Sequence, residues 1–199
     1  MNVAIVKYNA GNIRSVINAL QRLGVEPVLT DDAELLRRAD RVIFPGQGEA
    51  SSAMTYLRER GLDHVIKNLT QPVLGICIGM QLLCRHSEEG DTDCLGVFDA
   101  EVKGFTPTPS QGGGEAIRLK VPQMGWNTLE PRETWLGDGG YAYFIHSYYV
   151  PLCKDTAAVT EYGIRYSSAL HKDNFYATQF HPEKSGSVGE QIIRNFLCL

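Results

Sequence analysis

The chain has 199 residues, of which 43% are hydrophobic and 21% charged, enough apolar material to bury the core of one large soluble domain. Its formal net charge of −4 argues against a nucleic-acid surface, which needs clustered Lys and Arg. No apolar run approaches the roughly 20 residues of a membrane span, the N-terminus lacks the basic region of a signal peptide, and five cysteines without a C-x-x-C point to reduced thiols in a cytoplasmic protein, not to disulfides or a metal site.

Strand-like and helix-like segments alternate through the first half. NVAIV (2–6) reads as a buried strand. GNIRSVINALQRLG (11–24) comes next, with Ile13, Val16, Ile17, Leu20 and Leu23 at helical spacing and Gly24 as a stop. VEPVLT (25–30) is a second strand and DDAELLRRA (31–39) a short helix with acidic caps. RVIFPG (41–46) is the third strand. Residues 49–69 are helical with a break at Gly61. QPVLGI (71–76) is the fourth strand, and GMQLLCRHSEE (79–89) the helix after it.

After Gly90 come shorter runs separated by Gly and Pro, at 95–98, 100–105, 116–121, 141–150, 157–163, 164–173 and 175–182, which read as antiparallel or mixed strands. Residues 107–116 form a loop, and SVGEQIIRNFLC (187–198) a closing helix. There is no internal repeat and no linker. The expected architecture is one α/β domain over 1–199, with a mixed, mostly parallel central sheet flanked by helices.

The chemistry centres on Gly75-Ile76-Cys77-Ile78-Gly79, which fits the G-x-nucleophile-x-G elbow on a sharp strand-to-helix turn. Side chains at the two glycines would collide with the neighbouring strand and helix. The turn lifts Cys77 above the carboxyl edge of the sheet, and a helix N-terminus favours its thiolate. The bland alternative, a small buried hydrophobe, is weaker because of the double-glycine bracket. The other four cysteines lack that bracket and read as packing or surface residues.

A thiol nucleophile needs a base, and the base an orienter. His64 and His86 lie in charged, helix-like surroundings and His171 in a turn. His146 reads as a core residue or as a support behind the site. His181 ends an apolar strand, stopped by Pro182, with Glu183 two residues on, so His181 and Glu183 are the most economical base and orienter. In FPGQGEA (44–50), a turn at the end of the third strand, a backbone N–H can be aimed across the cleft. Together with the N–H of Ile78 it would hold an oxyanion.

GICIGMQLL, HSYYV and QFHPEKSG, in this order, resemble the class I (triad) glutamine amidotransferases. YNAGNIRSV, PQMGWN and FYATQFHPEKSG are similar to one branch in particular, the glutaminase subunits of imidazole glycerol phosphate synthases. The resemblance runs the full length. It implies that Cys77 attacks the side-chain amide of glutamine to form a thioester, that His181 shuttles protons, and that Glu183 orients it. It implies that Gly48, Gln81, Ser147 and Tyr148 hold glutamine. The oxyanion would be bound by the amides of Ile78 and Gln47, the latter after a peptide rotation. No cofactor is implied.

Because released ammonia must reach an acceptor site that this chain has no residues left to build, the implied partner is a (βα)8-barrel cyclase subunit in a heterodimer. Asn12, Trp126, Tyr143 and Lys184 would lie near that interface. Three places depart from the family's common pattern: Gln47 in the Pro-Gly-Val-Gly turn, Gln123 where His usually precedes Met-Gly-Trp-Asn, and Lys7-Tyr8-Asn9 in place of acidic-Tyr-Gly. The alternatives are a glutaminase for a related aminating synthase, as in surface-sugar biosynthesis, a cysteine peptidase or γ-glutamyl hydrolase with the same elbow, and a non-enzymatic scaffold.

Overall fold

The computed structural model of the protein describes residues 1–9, 13–105 and 119–199. Its centre is a nine-stranded sheet built from β1 (Val3–Val6), β2 (Val28–Thr30), β3 (Arg41–Phe44), β4 (Val73–Ile76), β8 (Gln123–Pro131), β9 (Gly140–His146), β11 (Thr156–Tyr162), β12 (Ile164–Lys172) and β13 (Phe175–Thr178). Their order across the sheet is β2-β1-β3-β4-β13-β12-β11-β8-β9. A smaller sheet joins β10 (Tyr148–Tyr149), β7 (Glu101–Gly104), β5 (His86–Ser87) and β6 (Thr92–Asp93).

The first five strands in that order run parallel and the remaining pairings are antiparallel. The sheet is therefore mixed, as expected, but divides evenly between the two kinds of pairing.

β1, β3 and β4 are buried on both faces, whereas the edge strand β2 leaves Val28 and Leu29 exposed, and period-two alternation sorts the buried side chains. Val3 and Ile5 of β1, Ile43 of β3 and Leu74 and Ile76 of β4 face one side. There they meet Val16, Ala19 and Leu20 of α1 (Ile13–Arg22) and Ile192, Ile193 and Phe196 of α6 (Gly186–Leu197). Ala4, Val6, Val42, Phe44 and Val73 face the other side. They pack on Leu36 of α2 (Ala33–Arg38), Met54 and Leu57 of α3 (Ala50–Glu59), Ile66 of α4 (Leu62–Lys67) and Met80 of α5 (Ile78–Leu83). Each fully buried aliphatic contributes about 1.5–3 kcal/mol. The break expected at Gly61 separates α3 from α4, with Gly61 at φ +64°.

Four expectations change. The helix after Cys77 ends at Leu83, because Cys84 is extended and the next residues enter β5. Residues 95–98 are no strand. Their amides close the end of α5 instead: Leu95 donates to the Leu82 carbonyl, Val97 and Phe98 to that of Leu83, at 2.9–3.0 Å. His86 and His171 accordingly sit on strands, not on a helix and a turn.

The third change is β8, where no strand was expected: Leu129 points inward, but Gln123 is buried as well, while the apolar Met124 and Trp126 face outward, 58% and 56% exposed. Fourth, the single run at 141–150 breaks at Ser147, where the chain leaves the large sheet for the small one. The loop expected at 107–116, and with it half of the run at 116–121, lies outside the described residues.

Candidate active site

Parallel β3, β4 and β13 end at one edge of the sheet, and β9, antiparallel to β8, delivers its own C-terminus there. The segments that leave these strands are therefore gathered at that edge: Pro45–Gly48 after β3, Cys77 after β4, His181 after β13, and Ser147 and Tyr148 after β9. Residues far apart in the chain meet because the register of the sheet aligns the strand ends.

Cys77 occupies φ 55°, ψ −110°, a backbone conformation that L-residues rarely adopt. Its amide donates to the Thr178 carbonyl at 2.7 Å, and its own carbonyl accepts from Met80 and Gln81, which starts α5. The two glycines do what the spacing predicted. A Cβ on Gly79 would overlap the carbonyl of Phe44 on β3, and one on Gly75 would lie 2.8 Å from Leu83 Cδ1 and 3.0 Å from the Gly79 carbonyl. Gly46 is equally tight, against Ile78 and the Tyr8 hydroxyl, so the 45–48 turn rests on the elbow. Tyr8 donates its hydroxyl to the Pro45 carbonyl and anchors that turn.

His181 and Glu183 are 2% and 9% exposed, with His181 Nδ1 2.8 Å from Glu183 Oε1. The carboxylate accepts a hydrogen bond from Nδ1–H and leaves Nε2 as the working end of the ring. Among the described residues Nε2 has no partner of hydrogen-bond geometry. Burial alone would lower the pKa of His181, but the Cys77 sulfur and the Glu183 carboxylate together raise it to about 10. The ring is held in place by its backbone: the His181 amide donates to the Tyr143 carbonyl at 2.9 Å, and Ser185 Oγ donates to the His181 carbonyl at 2.7 Å.

In front of Cys77 lies a cavity of about 320 Å³. Gln47, Gly48, Ile78, Gln81, Ser147 and Tyr148, the residues to which the resemblance assigns glutamine and its oxyanion, all line it, and so does Glu89, which the sequence analysis did not single out. Glu89 accepts from the Ala50 amide at 2.8 Å, and half-burial raises its pKa. A helix running on through 89 would carry Glu89 away from the site; the early stop of α5 turns it back. His146 also lines the cavity. Burial pushes its pKa down to about 4 against the raising effect of its Tyr148 hydrogen bond, so at neutral pH it is uncharged, with Nδ1–H donating to the Tyr148 carbonyl at 2.7 Å.

On the rim, Trp126 packs edge-on to Tyr143, with ring centroids 6.1 Å apart, and Lys184 Nζ lies 6.0 Å above the Tyr143 ring. These three expected interface residues adjoin one another beside His181. Trp126 is exposed, not core. Asn12 lies outside the described residues. Gln123 is buried and accepts from the Tyr166 hydroxyl at 3.0 Å.

Comparison with known proteins agrees with this geometry. The class-I glutamine amidotransferase family model matches residues 4–199. A protein of Bacteroides fragilis named imidazole glycerol phosphate synthase subunit HisH is 60% identical over 203 residues, covering all of both chains. A protein of the same name from Bacteroides thetaiotaomicron is 59% identical over the same span. A solved glutamine amidotransferase, 23% identical, shares the fold with a TM-score of 0.73 over 98% of this chain and 96% of that one. A family match from the first strand to the last residue, and identity of this order without gaps in coverage, leave one assignment: the chain belongs to the class I glutamine amidotransferases and is a glutamine-hydrolysing enzyme.

Proposed function

We propose that this chain is the glutaminase subunit of an imidazole glycerol phosphate synthase, working in the cytoplasm with a (βα)8-barrel cyclase subunit that receives its ammonia. The observation that carries the catalytic part is the strained Cys77 beside a buried His181–Glu183 pair, at the wall of a cavity near the lower size limit for a small-molecule site.

Glutamine enters with its side-chain amide at Cys77. Gln81, Ser147, Tyr148 and Gly48 hold its backbone end, and the Glu89 carboxylate complements its α-ammonium. The thiolate adds to the amide carbon, and the oxyanion is taken by the amides of Ile78 and Gln47. His181 Nε2 passes its proton to the departing nitrogen, the C–N bond breaks and ammonia leaves, with the glutamyl group held as a thioester. Water then attacks, His181 takes its proton, the C–S bond breaks and glutamate is released. Glu183 holds the ring in one orientation throughout.

The partner assignment rests on the names of the full-length relatives and on a surface that fits it. Met124, Trp126 and Tyr141 expose an apolar face on the β8–β9 hairpin beside the site. Docking there would cover His181 and keep ammonia, mostly protonated and unreactive in water, from escaping. The test is glutamine hydrolysis by the full chain, alone and with a candidate cyclase and its nucleotide ligand. Stimulation of at least a hundredfold is expected, abolished by Cys77→Ala. Equal rates with and without the cyclase refute the partner assignment, and activity in Cys77→Ala refutes the nucleophile. Stimulation by a different aminating synthase selects the alternative partner.

A further inference from the structure

Gln179 lies just past β13, one residue before Phe180 and two before His181, and none of it is exposed. Its backbone is already committed to the sheet through the Ser168 carbonyl at 2.9 Å. Among the described residues its side-chain amide makes two hydrogen bonds. Oε1 accepts from Gln81 Nε2 at 2.9 Å, and Nε2 donates to the Cys77 sulfur at 3.8 Å. An apolar side chain of the same size would fill that space without the cost of burying an amide, so the polar group needs a reason.

The polarity of these contacts is fixed from outside. The Tyr148 carbonyl only accepts, and it accepts hydrogen bonds from His146 Nδ1 at 2.7 Å and Gln81 Nε2 at 3.1 Å. Gln81 must therefore turn its nitrogen toward Tyr148 and Gln179 and its oxygen away from them. Gln179 must turn its oxygen toward Gln81, which leaves its N–H for the sulfur. The thiol itself donates to the Ile145 carbonyl at 3.8 Å. Once the thiol loses its proton, that contact no longer holds it, whereas the Gln179 N–H becomes a charge-assisted donor.

We propose that Gln179 is a positioning residue: its amide, oriented by Gln81, holds an N–H on the Cys77 sulfur in favour of the thiolate and at the same time locks Gln81 for glutamine. This rests on the reading of Cys77 as the nucleophile. It ties readiness of the nucleophile to the side chain that receives the substrate, since moving Gln81 releases Gln179.

The test uses the full chain and two variants. Gln179→Glu keeps the shape and the acceptor for Gln81 but removes the N–H. Gln179→Met removes both. Labelling of Cys77 by iodoacetamide at neutral pH reads the thiolate, and the glutamine concentration that half-protects against labelling reads the Gln81 site. Both variants should label about tenfold more slowly, the scale of one hydrogen bond to a charged group. Half-protection should rise about fivefold in Gln179→Met and stay within twofold in Gln179→Glu. A residue that only fills space would not split the two readouts in this way.

Labelling within twofold of the parent in either folded variant overturns the proposal, and so does a half-protection value unchanged in Gln179→Met. Because Gln179→Glu conserves shape, it decides the sulfur contact even if Gln179→Met fails to fold. Cys77→Ala serves as the control: if it still hydrolyses glutamine, the nucleophile assignment fails on its own, whatever Gln179 does.

Discussion

Gly79→Ala tests whether the elbow is held by direct backbone approach. The added Cβ would overlap the Phe44 carbonyl oxygen, lie 3.0 Å from the Phe44 carbonyl carbon and 3.6 Å from that of Pro45. None of these atoms is the end of a flexible side chain, so relief comes only if α5 moves off β3. Overpacking of this kind costs ~3 kcal/mol, the upper part of its usual range. With ~2.1 cal/mol/K of unfolding entropy per residue, 199 residues lose roughly 7 °C of melting temperature. The shift carries Cys77 and Ile78 with it, so labelling of Cys77 should fall at least tenfold. Gly104→Ala is the control, since its Cβ would meet nothing nearer than 3.6 Å, and it should melt within 2 °C of the parent. Thermal melts followed by circular dichroism, with iodoacetamide labelling alongside, make the measurement. A Gly79→Ala protein that melts within 2 °C of the parent and labels at the parent's rate would refute the close-approach argument.

Glu183→Gln should lower glutamine hydrolysis at least a hundredfold, measured with the stimulating partner present, since the ring loses the carboxylate that fixes its orientation. The same change alters stability against pH. The pKa of His181 is raised to about 10 in the folded chain against ~6.5 unfolded, so the stability it contributes is full below ~6.5 and lost as pH rises through about 10. The parent's melting temperature should therefore fall more between pH 7 and pH 10 than that of Glu183→Gln; parallel curves would show that the carboxylate does not hold the imidazolium. Glu89→Gln keeps the acceptor for the Ala50 amide and removes only charge. The Michaelis constant for glutamine should rise about tenfold with little change in melting temperature, and an unchanged constant would remove Glu89 from the ammonium site.

Some features of this chain are local and therefore legible in the sequence. Two glycines around one cysteine specify an elbow because the collisions they avoid involve the adjoining strand and helix. His181 and Glu183 are two residues apart, and a Pro between them sets the turn that brings them together. Alternating apolar residues in β1, β3 and β4 sort themselves to two faces whatever lies beyond them. Gly61 ends α3 because its backbone turns left-handed there.

Other features depend on partners remote in the chain, and these only the tertiary structure decided. α5 stops at Leu83 because residues 95–98 close its last carbonyls, and that stop is what returns Glu89 to the cavity. β8 is hidden from a reading of the sequence because two of its apolar residues, Met124 and Trp126, face outward while the polar Gln123 is buried, against the rule that reads strands from their buried face. Gln81 and Gln179 stand 98 positions apart, and Gln179 and Cys77 102. A residue's own neighbours carry no trace of such a bond. It exists because the parallel register of β4 and β13 brings their ends side by side, within reach of a single side-chain amide.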